Sequence, residues 1–201
     1  MNPDSKVMQA LALAADVVLV NVLLILTSLP VVTAGAALAA SHATLLELIN
    51  DEGSGVVRTY LRHFRASWKA ATLGWFIVLG AGLLLAWEFW ALGRMDGWGA
   101  LAAQTGVIVG VLLLAIWAVW FFPLAGKALP FRRAGKLAAL LGVGHLPRTA
   151  LALVFLTIPA LLLYLDPSIW AIWLAAMAIL GFALPLYLVI LVIRGPLSRV
   201  A

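Results

Sequence analysis

Long apolar stretches dominate the chain, separated by short polar interruptions. They run from about Val7 to Leu29, Val31 to Ile49, Thr72 to Leu92, Ala100 to Phe122, Thr149 to Leu165 and Ile169 to Ile193. A bilayer core roughly 30 Å thick takes about 20 apolar residues per helical crossing, so each stretch is predicted to be a transmembrane helix. The expected fold is an all-α membrane protein: one polytopic domain over residues 1–201, a six-helix transmembrane bundle with amphipathic cytoplasmic helices and both termini cytoplasmic. The second stretch is rich in small residues and holds His42 and Glu47; the fifth is short and contains Pro159. Both fit a tilted, re-entrant or covered segment as well as a full crossing, because polar groups and proline survive where other protein satisfies them. The first stretch contains Asp16 and Asn21 and is too long for a signal-peptide core, so it is read as a retained span.

The connections differ sharply in length. Three turns, around Pro30, from Gly93 to Gly99 and from Asp166 to Ser168, are too short for a receptor or catalytic domain. The other two, Asn50 to Ala71 and Pro123 to Arg148, should hold structure of their own. In the first, after the flexible turn Asp51-Glu52-Gly53-Ser54-Gly55, Arg58, Arg62, Arg65 and Lys69 recur at helical spacing opposite Val57, Leu61, Phe64 and Trp68. That pattern predicts an interfacial amphipathic helix. In the second, Lys127, Arg132, Arg133 and Lys136 accompany a small-residue helix from about Ala134 to Val143, and Gly144 to Arg148 turns the chain back. Each long connection thus leads through a basic segment into a hairpin, the pattern of a distant internal repeat.

Composition agrees with lipid as the solvent: 65% of residues are hydrophobic, 10% are charged, and the mean hydropathy is +1.13. Cysteine is absent, which removes disulfides and thiolate chemistry. The net charge of +5 and pI near 10.1 fit a cytoplasmic face and anionic lipid, and no module for nucleic acid is present. With the amino terminus inside, the inner segments carry every Lys and Arg except Arg94, the alternation that the positive-inside rule requires. Trp87, Trp90, Trp98, Trp170 and Trp173 fall near the outer boundary and Trp68, Trp75, Trp117 and Trp120 near the inner, as interfacial anchors would.

Candidate chemistry is sparse. Ionisable groups in a bilayer are costly, which directs attention to Asp16, His42, Glu47 and Glu88. Only Asp16 sits deep, with Asn21 and His42 as polar candidates beside it, while Glu47 and Glu88 lie near span ends within reach of the interface. Asp16 is either a proton or cation site, or a structural group bonded to Asn21, Thr157, Ser41 or His42. His42, His63 and His145 are scattered without the spacing of a helical zinc site, so no metal and no cofactor is expected. There is no GxxxxGK loop and no GxSxG serine, and a non-enzymatic protein is expected. Gly106 and Gly110 form GxxxG in the fourth span, and Ala36 and Ala40 a similar face in the second; such faces pack within the bundle or, at Gly106 and Gly110, against a second copy. Pro159 and Pro185 are expected to kink the last two spans.

Four segments carry a resemblance: NVLLILTSLPVVTAG from Asn21 to Gly35, the DEGSG turn, YLRHFRASWKAATLGW from Tyr60 to Trp75, and HLPRT from His145 to Thr149. Together they resemble the YesL family of bacterial membrane proteins, a domain of unknown function. Asn21, Pro30, Thr33 and Gly35 match its first motif, Phe64 and Lys69 to Thr72 its second, and Pro147 its third. The resemblance implies a multi-pass protein of the bacterial cytoplasmic membrane near carbohydrate uptake, since family members are commonly encoded beside sugar-import ABC transporters. It supplies no catalytic residue. The expected function is an accessory component of a carbohydrate ABC importer, with membrane lipid or importer subunits contacted by Arg58, Arg62, Arg65, Lys69, Arg132, Arg133, Lys136 and Arg148. An ordinary permease subunit is excluded by the lack of an EAA-type coupling loop. The alternatives are an autonomous small-solute transporter or channel built on Asp16, and a lipid-facing enzyme or scaffold.

Overall fold

The structure is a computed structural model that describes residues 6–50, 55–165, 168, 170–177 and 181–200. Its regular elements, among those residues, are all helical: α1 (Lys6–Ser28), α2 (Ala34–Ile49), α3 (Val56–Leu92), α4 (Trp98–Gly126), α5 (Phe131–Gly144), α6 (Leu146–Leu165), α7 (Trp170–Ala176) and α8 (Ala183–Ser198), with a short 3-10 turn at Val31–Thr33. Five helical segments are long and apolar enough to cross a bilayer: α1, the 3-10 turn with α2, α3, α4 and α6. The chain is a multi-pass membrane protein by that measure. The sixth expected span, 169–193, is represented by α7 and α8, while Ile169 and 178–180 lie outside the described residues. So do Asp51 to Ser54 of the DEGSG turn and Asp166 and Pro167 of the third short turn.

Two elements differ from the sequence reading. The amphipathic segment after Gly55 is not a separate interfacial helix but the first part of α3, which runs 37 residues without a break. Nothing in Lys69-Ala70-Ala71-Thr72-Leu73-Gly74 stops a helix, since no proline is present and a lone glycine costs only about 1 kcal/mol. Pro185 is the third residue of α8 rather than an interior residue of one continuous span, a position where the helix has no intrahelical partner for an N–H. Pro159 does lie inside α6.

α2 is the centre of the fold. Ten of its sixteen residues are buried, from Gly35 to Leu45 with only Leu38 partly exposed among them. Small residues permit this. A side chain at Gly35 would collide with the Ala71 carbonyl and Trp75 of α3, and one at Gly126 of α4 with the Ala39 carbonyl and Ala43. Around α2, one core cluster gathers Ala71, Trp120, Phe121, Leu124, Val189, Ile190 and Ile193, and a second gathers Val17, Val20, Leu24, Leu45 and Leu186. Neither includes any residue between Val78 and Trp117. The outer parts of α3 and α4 therefore form a two-helix arm beyond the body, closed by contacts such as Leu85 on Gly110, with Leu83, Trp87 and Leu113 turned outward.

The arm reveals a stagger. Trp75 donates its indole N–H to the Val31 carbonyl at 2.7 Å, so the Pro30 turn sits beside Trp75. The end of α3 at Leu92 is seventeen residues further on, about 26 Å at 1.5 Å per residue. The Pro30 turn and the Gly93 to Gly99 turn, expected side by side on one face, lie far apart along α3.

Candidate functional site

Charge concentrates where α2, α4 and α8 end and α3 begins. The start of α3 buries Val56, Thr59, Tyr60, Ser67, Ala71 and Gly74, a small and polar stripe against the body. Arg58, Arg62, Arg65 and Lys69 are exposed, but so are Val57, Leu61 and Trp68 of the stripe that sequence periodicity marked as apolar; Phe64 is half-buried, between Tyr60 and Trp68. The outer surface of this segment is thus basic and apolar side by side. α5 repeats the arrangement: Ala134, Ala138 and Gly142 face inward, and Arg132, Arg133 and Lys136 face out.

Between these elements lies one acid held by two bases. Glu47, on the last turn of α2, accepts from Arg62 Nη2 at 2.7 Å to each oxygen and from His63 Nε2 at 2.7 Å. The sequence reading missed this cluster; its only signal was a lone carboxylate next to a basic helix. Beside it opens a cavity of about 460 Å³ lined by Ala43, Leu46, Glu47, Asn50, His63 and, from α4 and α8, Gly126, Lys127, Arg194, Gly195 and Ser198. Lys127 donates to the carbonyls of Leu197 at 2.7 Å and Val200 at 3.3 Å, capping the end of α8. Burial lowers its pKa from the ordinary 10.5, since desolvation penalises the ammonium.

The polar residues singled out inside the spans do not converge. Asn21, fully buried, donates to the Met177 carbonyl at 3.1 Å and accepts from the Phe182 and Ala183 N–H groups at 3.1 and 3.0 Å. It fastens the two described ends of the last apolar stretch to α1. His42 Nδ1 lies 2.8 Å from the Leu38 carbonyl of its own helix, and the Ser41 and Thr157 hydroxyls also bond within their helices. Asp16 is half-buried, and among the described residues no hydrogen bond or ion pair reaches it from Asn21, Ser41, His42 or Thr157.

The remaining marked residues have local roles. The Thr33 hydroxyl bonds to the carbonyls of Thr27 and Pro30, and Gly35 admits α3. Pro147 and Arg148 are exposed in the first turn of α6. A side chain at Gly106 would meet nothing, whereas Gly110 faces Leu85, so the GxxxG face is half used within the chain. Several tryptophans are more than anchors: Trp117, Trp120 and Trp173 donate to the Gly135 carbonyl, the Thr149 hydroxyl and the Pro159 carbonyl. The side chains of Trp87, Trp90, Trp98 and Trp170 are exposed.

Residues 17–89 match the model of a family described as "Protein of unknown function, DUF624". No curated protein and no solved structure matches the chain.

Proposed function

We propose that this chain is a non-enzymatic accessory component of a carbohydrate ABC import system in the bacterial cytoplasmic membrane, with the basic end of the bundle in the cytoplasm. The observation that carries the reading is the first part of α3, where exposed Arg58, Arg62, Arg65 and Lys69 adjoin exposed Val57, Leu61 and Trp68 on a face that the chain itself leaves uncovered. Mixed basic and apolar surface of this kind suits a membrane-proximal protein partner. The family match spans the two motifs, Asn21 to Gly35 and Tyr60 to Trp75, that resemble YesL proteins. Importer subunits should copurify with the chain in mild detergent, and Arg58→Glu with Arg65→Glu should reduce their recovery about tenfold. A chain that emerges alone, from cells whose sugar uptake is unchanged by its deletion, would sink the proposal.

The topology proposed with it keeps both termini on the basic side. Arg194 and Ser198 near the end of α8 line the same cavity as Glu47 and His63, which supports that placement for the carboxyl terminus. Charge alternation supports six crossings and four equally, because omitting two consecutive spans leaves every later connection on its side. The stagger at Trp75 favours an α1–α2 hairpin that enters and leaves on the basic side with its Pro30 turn inside the membrane. The turn is equipped for this: Thr33 satisfies the Thr27 and Pro30 carbonyls and Trp75 satisfies that of Val31. Irregular backbone is tolerated in a bilayer only when its polar groups are met by protein. Among the described residues no hydrogen bond or ion pair gives Asp16, the basis of the transporter alternative, a polar side-chain partner.

A further inference from the structure

The cavity at the basic end has more cations than its own carboxylate can balance. Glu47 is already held by Arg62 and His63. Arg194 lines the cavity and is exposed, and among the described residues no carboxylate pairs with it. Lys127 directs two N–H groups at the carbonyls of Leu197 and Val200 and has a third to offer. Arg148 of α6 lies across Gly195, with Nη1 3.4 Å from where a side chain on that glycine would begin. The C-terminal ends of α2, α4 and α8 also open here and contribute roughly half a negative charge each, which three cations outweigh. Ala43, Leu46 and Gly126 supply apolar wall beside these charges.

We propose that this cavity binds an anionic phosphate group, with Lys127 and Arg194 as its ligands and Arg148 at the rim. Charge-assisted bonds from lysine and arginine are the ordinary means of holding phosphate, and basic pockets between helix ends at the cytoplasmic boundary take anionic headgroups. The phosphate comes from an anionic lipid or from a soluble phosphate compound. The site rests on the orientation proposed above but not on the importer partnership.

The test is thermal unfolding of the full chain in neutral detergent, titrated with phosphatidylglycerol, phosphatidylcholine, glycerol phosphate or inorganic phosphate. Phosphatidylglycerol, glycerol phosphate or inorganic phosphate should raise the midpoint, and phosphatidylcholine should not. Arg194→Gln and Lys127→Gln should each require about tenfold more ligand for half the shift, the loss of one charge-assisted contact. Arg94→Gln, on the exposed turn between α3 and α4, should behave as the parent chain. A shift with glycerol phosphate or inorganic phosphate but not phosphatidylglycerol identifies the soluble source, and a shift confined to phosphatidylglycerol identifies lipid. Equal shifts from phosphatidylglycerol and phosphatidylcholine, no shift from any probe, or an Arg194→Gln response equal to that of Arg94→Gln would overturn the site. Copurification of importer subunits stands or falls separately.

Discussion

Asn21 shows how much one buried amide can determine. Its carbonyl serves the Phe182 and Ala183 N–H groups where α8 begins, and its amino group serves Met177 where α7 ends. In a membrane no water replaces such bonds, so Asn21→Leu should destabilise the fold by about 2 to 4 kcal/mol, whereas Asn21→Asp, which keeps the acceptor, should lose less. Detergent-denaturation midpoints measure both, and a leucine variant as stable as the parent would refute the role. Lys127 makes a second prediction. Its folded pKa lies below the ordinary 10.5, so the unfolded chain retains the proton to higher pH and stability from this group rises as pH climbs through the interval below 10.5. Lys127→Met should flatten that rise; superimposable pH profiles of the two unfolding midpoints would contradict it. Neither role was legible in the sequence, because Asn21 and Ala183 meet across 162 positions and Lys127 and Leu197 across 70.

Among the helices, close approach is decided by glycines that look alike in sequence. Gly35 and Gly126 face backbone of a neighbouring helix, while Gly106, in the more recognisable GxxxG pattern, faces open space. Gly35→Val and Gly126→Val should each cost at least the roughly 1 to 3 kcal/mol typical of overpacking, and Gly106→Val should leave the protomer's unfolding midpoint within error. Equal tolerance at the three sites would show that α2 is not wedged between α3 and α4. The same reasoning explains why the small-residue second stretch, the least hydropathic of the five apolar segments, became the centre of the body. Its side chains Ser41, His42 and Thr44 are surrounded by protein rather than lipid.

For the whole molecule, the placement of the Pro30 turn separates six crossings from four. The chain contains no cysteine, so single cysteines report position directly. With an impermeant maleimide, Gly97→Cys should label in intact cells and Arg133→Cys only after the membrane is opened. Leu29→Cys should label in neither case, since a thiol immersed in lipid forms no reactive thiolate. Labelling of Leu29→Cys from outside, as at Gly97→Cys, would restore the α1–α2 pair as full crossings. Charge distribution cannot make this distinction, because a hairpin that crosses twice and one that never crosses return the chain to the same side.

Hydropathy and charge alone predict that the chain is helical, that its apolar stretches call for lipid, and that every Lys and Arg but Arg94 falls in the termini and the two long connections, because both act on each segment independently of its neighbours. The sequence also marked Asn21, Thr33 and Gly35 as unusual without giving the reason. Only packing shows which stripe of α3 is buried, that Glu47 is shared by Arg62 and His63, and that the Pro30 turn lies beside Trp75. These depend on how helices sit against one another, and periodicity within a helix defines its faces without saying which one a neighbour will cover.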